Sequence, residues 1–370
     1  MNSLASSLFV LGTCMLAALA SAQTPTSVEA AEYEPNSDRW LVSNNNSILV
    51  TDDLGESWTT FGSGGATHGM EVLGSTLFAI QSNVIRAYDV VSGEQIGALS
   101  PTGAGFLNGM GSESTDAGDI LVVSDFSSGR LLKVDVSDPT NMTYSTLVAD
   151  TGTTPNGVTV LDGVATVVNW GGNSDILQFD VETGAVTVLV DGTGLGNCDG
   201  VDWAYGSLIV SSWTPQRITQ FSPDADNPGA WTATTLVNGS PLSNPADLSV
   251  NTLGDTYAVA CSGNNTVYFG PLTDISAVSP VRVPVTDASL TGEGLALSSD
   301  EAGQWTVRGL DTAGRELGTN SFSSGPGQAS VSWDALGSWG VDAFLIEVRF
   351  EPTGSTTGSW RTALKHSATR

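Results

Sequence analysis

The sequence predicts an all-β protein: a six-bladed β-propeller over residues 25–285, followed by a small β-sandwich over residues 286–370. Three observations predict it. Short strand-like runs recur along the whole chain, a unit of roughly 43 residues repeats, and that repeat stops near residue 286. The 43 glycines and 15 prolines supply the turns that many short strands need. A parallel β-helix or a double sandwich shares the strand content, but neither explains four strands per repeat of this length.

Charge sets the outer limits on function. The 370 residues carry 12 basic and 39 acidic side chains, a net charge of -27. Such a surface repels phosphate backbones and anionic headgroups, which excludes nucleic acid and polybasic membrane docking. With 40% hydrophobic residues the chain is not disordered by charge.

At the amino terminus, residues 1–22 hold an apolar run from Leu8 to Leu19 and end in Ala20-Ser21-Ala22. They read as a secretory signal cleaved before Gln23, although no Lys or Arg precedes the run. No later stretch is apolar enough to span a bilayer. Cleavage leaves Cys198 and Cys261, which form either a disulfide or two buried free thiols. With His68 and His366 the only histidines, no zinc pattern arises.

The repeat units open on a polar residue followed by a small residue and a short strand. These openings are His68-Gly69, Asn108-Gly109, Asn156-Gly157, Asp199-Gly200 and Asp247, with a weaker first copy at Glu29. A more apolar second strand follows, as in Asp119-Ile120-Leu121-Val122-Val123 and Ser207-Leu208-Ile209-Val210. Third strands such as Arg130-Leu131-Leu132-Lys133-Val134 come next, and hairpin signals such as Glu182-Thr183-Gly184 lead to a fourth.

In a propeller the first strands surround the axis, so the six opening residues form a ring at one mouth. Residues about thirteen positions on (Gln81, Asn169, Ser212, Ala260, with Asn44 and Asp125 after longer turns) are expected to partner them. Glu, Asn and Asp oxygens suit a divalent cation, Ca²⁺ foremost. The alternative is that these side chains cap strand starts through backbone hydrogen bonds. Asn244 is an alternative to Asp247, through the Asn244-Pro245 turn. Trp170 and Trp213 either stack a sugar or apolar ligand over the mouth or pack between blades. His68 is a base, a substrate donor or a wall residue.

Glu29-x-x-x-Tyr33, Pro155-Asn156-Gly157 and Asp199-Gly200 resemble the family of senescence marker protein, gluconolactonase and luciferin-regenerating enzyme. The resemblance implies a secreted, metal-dependent hydrolase of a lactone or related ester. It implies Glu29, Asn156 and Asp199 as metal ligands, with Asp199 also activating water as the catalytic residue. Asn108, in Leu107-Asn108-Gly109, resembles a ligand-facing asparagine of that family, and His68, Trp170 and Trp213 complete the substrate-binding set. Family enzymes carry an arginine near this asparagine; here Phe106-Leu107 precede it. The other reading is a non-catalytic, calcium-stabilised propeller binding a glycan or protein.

Beyond residue 286, strand runs such as Trp305-Thr306-Val307-Arg308 and Ala343-Phe344-Leu345-Ile346 predict the sandwich. Leu310-Asp311-Thr312-Ala313-Gly314-Arg315-Glu316-Leu317, the Leu336-Gly337-Ser338-Trp339-Gly340 turn and the final Gly358-Ser359-Trp360 resemble the terminal sorting domain of Bacteroidota type IX secretion. That resemblance implies the export machinery as a partner and a secreted or cell-surface location in a Gram-negative cell.

Overall fold

The computed structural model describes residues 23–115, 117–224, 226–227, 229–272, 286–291, 294–299, 302–310, 316–336, 345–353 and 360–365. The expected signal at 1–22 and most of the motifs said to mark a sorting domain lie outside them.

The chain is all-β, with a single helical turn among the described residues, at Trp333–Leu336. Six successive antiparallel meanders follow the repeat. Their first strands are Ala31–Glu34, Met70–Leu73, Leu107–Thr115, Thr154–Leu161, Gly196–Ala204 and Pro245–Asn251. Five of these sheets have four strands in sequence order, and the sixth has three, ending on Thr266–Pro271.

The second strands are largely buried, because sheets pack against both of their faces. In Gly118–Asp125, residues Leu121 to Asp125 are all buried. Outer strands alternate towards solvent, and Val186 and Val188 are exposed. Two-residue turns fix the register between first and second strands. Asp162-Gly163 and Tyr205-Gly206 both take positive φ at both positions, which matches the twist of the strands they join.

The first strands contact one another in succession, and the sixth also contacts the first. Backbone hydrogen bonds join them: Gly69 N–H donates to Asn108 O at 2.9 Å, and Asp247 N–H donates to Glu29 O at 3.0 Å.

The expected six-bladed propeller with a following sandwich is corrected here. Every sheet is an open meander of three or four strands, and no sheet closes into a propeller or barrel. The contacts between sheets are made by packing and by isolated bonds, not by continuous ladders. Beyond residue 285, a three-stranded sheet (Thr286–Thr291, Gly294–Ser299, Gly327–Ser332) and a four-stranded one share a core around Trp305, Val307, Ile346, Val348 and Phe350. No separate sandwich domain is delineated by the described residues.

Cys198 and Cys261 are free and buried, which decides between the two alternatives for them. Among the described residues, no helix is long and apolar enough to cross a membrane.

Candidate functional site at one end of the first strands

The polar-glycine pairs have a steric cause. A Cβ at Gly109 would lie 2.4 Å from the carbonyl oxygen of Asn156, and one at Gly157 would lie 2.1 Å from that of Asp199. Only glycine lets neighbouring first strands approach this closely. Gly69 and Gly200 stand in the same relation to their next strands. The glycines therefore draw the preceding polar residues, one per strand, together at one end.

Serines on the second strands brace this girdle. Ser124 Oγ accepts from Gly109 N–H at 2.9 Å and donates to the Asn156 carbonyl at 2.6 Å. Ser211 does the same for Gly200 N–H and the Ala246 carbonyl, each at 2.7 Å. Ser43 accepts from both Glu29 and Ala30 N–H groups. The expected partners thirteen positions on mostly hold the approaching loops instead. Asp125 accepts from Gly105 and Phe106 N–H groups and from Arg130, while Asn169 accepts from Thr153 and Ser212 donates to Pro215 O.

The structure brings together most of the predicted site. Asn108, Asn156 and Asp199 are buried, with Glu29 and Asp247 partly buried beside them. Asn108 Nδ2 donates to Asn156 Oδ1, and Asn156 Nδ2 donates to the Cys198 carbonyl at 3.1 Å. Asp247 occupies the sixth position, and its Oδ1 accepts from Leu248 N–H. Asn244, the alternative, instead caps Ser262 with its carbonyl.

Burial dominates the electrostatics. It pushes Glu29 up to about 7 and Asp247 up to about 8. Asp199 is raised well above the usual carboxylate range by burial, then by the charges of Glu29 and Asp247. The Trp213 indole N–H lowers Asp199 somewhat; it lies close by, short of full hydrogen-bond geometry. The groups acting on these acids are other acids, serine, tryptophan, asparagine and backbone N–H, and no base is among them.

Above this floor runs a row of five rings: His68, Phe106, Phe126, Trp170 and Trp213. Successive centroids are 4.6, 5.6, 5.9 and 5.0 Å apart, with planes turned by 89°, 81°, 66° and 74°. Strand register places them here, since Trp170 pairs with Thr154 and Phe126 N–H donates to Phe106 O at 2.8 Å. All five are partly exposed. Burial pulls His68 down to about 4, so its imidazole is neutral and it enters the row as an aromatic ring.

The expected metal centre is corrected. Among the described residues, no group of three or more His, Cys, Asp or Glu side chains is placed to hold a metal ion. Asn156, one of the three implied ligands, spends its amide oxygen on Asn108. A Ca²⁺ ion at Glu29, Asn156 and Asp199, and a calcium-stabilised version of the fold, therefore have no ligand set. The metal-dependent hydrolase goes with the metal, because Asp199 was to act on water beside that ion.

Reading the sequence missed Phe106 and Phe126, which join the predicted His68 to the predicted tryptophans. It also missed a second group of acids further along the first strands. Glu32, Glu71 and Asp202, with Ser112, Thr159 and Ser249, line a cavity of about 260 Å³, one residue from each first strand. Ser112 donates to Glu71 at 2.8 Å, Thr159 to Asp202 at 3.3 Å, and Val72 N–H to Glu32 at 2.9 Å. Burial raises all three acids, Asp202 to about 6. Their signal was present in several first strands, where a polar residue stands between apolar ones, as in Met70-Glu71-Val72 and Val201-Asp202-Trp203.

No protein-family model matches the chain, and no curated protein matches it. Solved structures are similar in fold only. A protein of unknown function from Bacteroides thetaiotaomicron has a TM-score of 0.52 at 12% identity, covering 66% of this chain and 69% of that one. The calcium-binding protein regucalcin from Agrobacterium tumefaciens has a TM-score of 0.47 at 15% identity, covering 64% and 83%. The Swd1 β-propeller domain from Myceliophteria thermophila has a TM-score of 0.48 at 8% identity, covering 67% and 97%. The resemblances to the gluconolactonase family and to the sorting domain are thereby corrected. In Asn156-Gly157 and Asp199-Gly200 strand packing accounts for the glycine, as the glycine contacts show.

Proposed function

We propose that the chain is an exported protein that binds a small ligand at the aromatic end of its first strands. The observation that carries this reading is the unbroken row of five partly exposed rings above buried Asn108, Asn156 and Asp199. Rings of this size belong in a core, and five side by side at a surface form a patch of the kind that marks recognition sites. In this reading His68, Trp170 and Trp213 form the wall, and Asn108 and Asp199 hold the polar floor. Export is supported by the apolar Leu8–Leu19 run and its Ala20-Ser21-Ala22 ending.

The test is thermal unfolding of the mature chain against a panel of saccharides, amines and carboxylates. A ligand that binds the folded state raises the melting temperature in proportion to its occupancy. The reading predicts at least one stabilising compound whose effect disappears in Trp170→Ala and Trp213→Ala. A panel with no stabilising compound, or one whose effect survives both substitutions, counts against it.

A further inference from the structure

We infer that the ligand of the aromatic end is an organic cation, an alkylated ammonium group seated against the rings with its charge towards Asp199. The inference rests on the binding-site reading above and adds the chemical class.

Complementarity of charge and surface carries it. Glu29 and Asp247 are joined where Asp247 N–H donates to Glu29 O at 3.0 Å, and the charges of both raise Asp199. Buried acids without a compensating charge are costly to ionise, and a cation arriving among them removes that cost. Among the described residues no base acts on these three acids, although Arg217 pairs in register with Ser212, the neighbour of Trp213. Arg130, close in sequence to Phe126, is bound to Asp125 at 2.9 Å, and His68 is neutral. An anionic ligand would meet the charges of three acids. A neutral sugar would satisfy the rings and leave the acids uncompensated.

The rings match a cation as well. Aromatic faces carry negative charge density, and several rings turned against one another enclose an ammonium better than one flat platform does. Planes turned by 66–89° along the row give such a surface, while stacking a flat sugar needs one broad face. The strand register sets Ser212, the neighbour of Trp213, opposite Cys198, the neighbour of Asp199. The chain's net charge of -27 draws cations towards the molecule from a distance.

The experiment titrates the mature protein with choline and, separately, with 3,3-dimethyl-1-butanol, its uncharged carbon isostere, following binding by calorimetry. Choline is expected to bind at least tenfold more tightly. Asp199→Asn, which keeps the shape of the side chain, is expected to weaken choline at least tenfold and leave the isostere unchanged. Trp213→Leu is expected to weaken both. Near-ultraviolet circular dichroism confirms that each variant is folded, and Glu29→Gln serves as a second acid variant should Asp199→Asn fail to fold. Equal affinity for the two probes, or choline binding that survives both acid substitutions, overturns the inference. A neutral saccharide that binds at Trp213 while choline does not also overturns it, and leaves the binding-site reading standing. Failure of every probe there removes both.

Discussion

The Cα of Gly157 faces the carbonyl oxygen of Asp199 so closely that a Cβ would stand 2.1 Å from it. This contact joins two sheets and sets the spacing of the polar residues on which the site is built.

Gly157→Ala should therefore be among the most damaging small substitutions in the chain. The obstructing atom is backbone, so the two first strands must separate, at a cost of about 1–3 kcal/mol or more. Gly172→Ala is the control: a Cβ there meets nothing within 4 Å, and the change should stay within about 0.5 kcal/mol. Urea unfolding of both variants decides the matter, and equal stability of the two would remove the glycine girdle from the account.

Ser124 braces the same region from the second strand. Ser124→Ala leaves the Gly109 N–H and the Asn156 carbonyl without its hydroxyl in a buried setting, at a cost of about 1–3 kcal/mol. Ser128→Ala, which gives up a long bond to the Asp125 carbonyl at 3.4 Å on a half-buried loop, should cost less. Similar losses for the two serines would show that the brace contributes little.

These contacts explain how far the sequence could be read. The repeat of polar-glycine openings was visible because steric exclusion acts at the same place in each unit, and it led to Asn108, Asn156, Asp199 and Asp247. The same regularity misled about chemistry. Asn-Gly and Asp-Gly suit a metal-binding family, yet close packing at Gly109 and Gly157 by itself requires the glycine of each pair. Ser43, Ser124 and Ser211 were overlooked because their role depends on the neighbouring sheet, which local pattern does not encode. Phe106 and Phe126 looked like ordinary loop hydrophobics until register placed them between His68 and Trp170.

The buried acids make stability depend on pH in a definite direction. Asp202 at about 6, Glu29 at about 7 and Asp247 at about 8 all exceed the 3.8–4.5 of the ordinary carboxyl. A group whose pKa is higher in the folded state gives stability that is fully present below its unfolded pKa and is lost as pH rises through the folded one. Unfolding free energy should thus fall from about pH 4 to about pH 8, by about 1.4 kcal/mol per pH unit for each proton the folded state retains. Lowered acids such as Asp53, at about 2, act only below this window. Denaturant curves at several pH values check the slope, and stability that rises with pH across this range would contradict it.

Salt should act in the same sense as acid. Much of the charge of -27 is surface carboxylate, and mutual repulsion weakens as the Debye length shrinks from about 30 Å to about 3 Å between about 0.01 and about 1 M salt. The melting temperature should rise over that range. A salt-independent melting temperature would show that repulsion between acids contributes little to stability.

The most direct measurement of the central claim is a crystal structure of the mature protein grown with choline. The account places the ammonium in van der Waals contact with Trp170 or Trp213, with a carboxylate oxygen of Asp199 or Glu29 as its nearest charge. Choline found instead in the cavity between Glu32, Glu71 and Asp202, with the aromatic row bare, would contradict it.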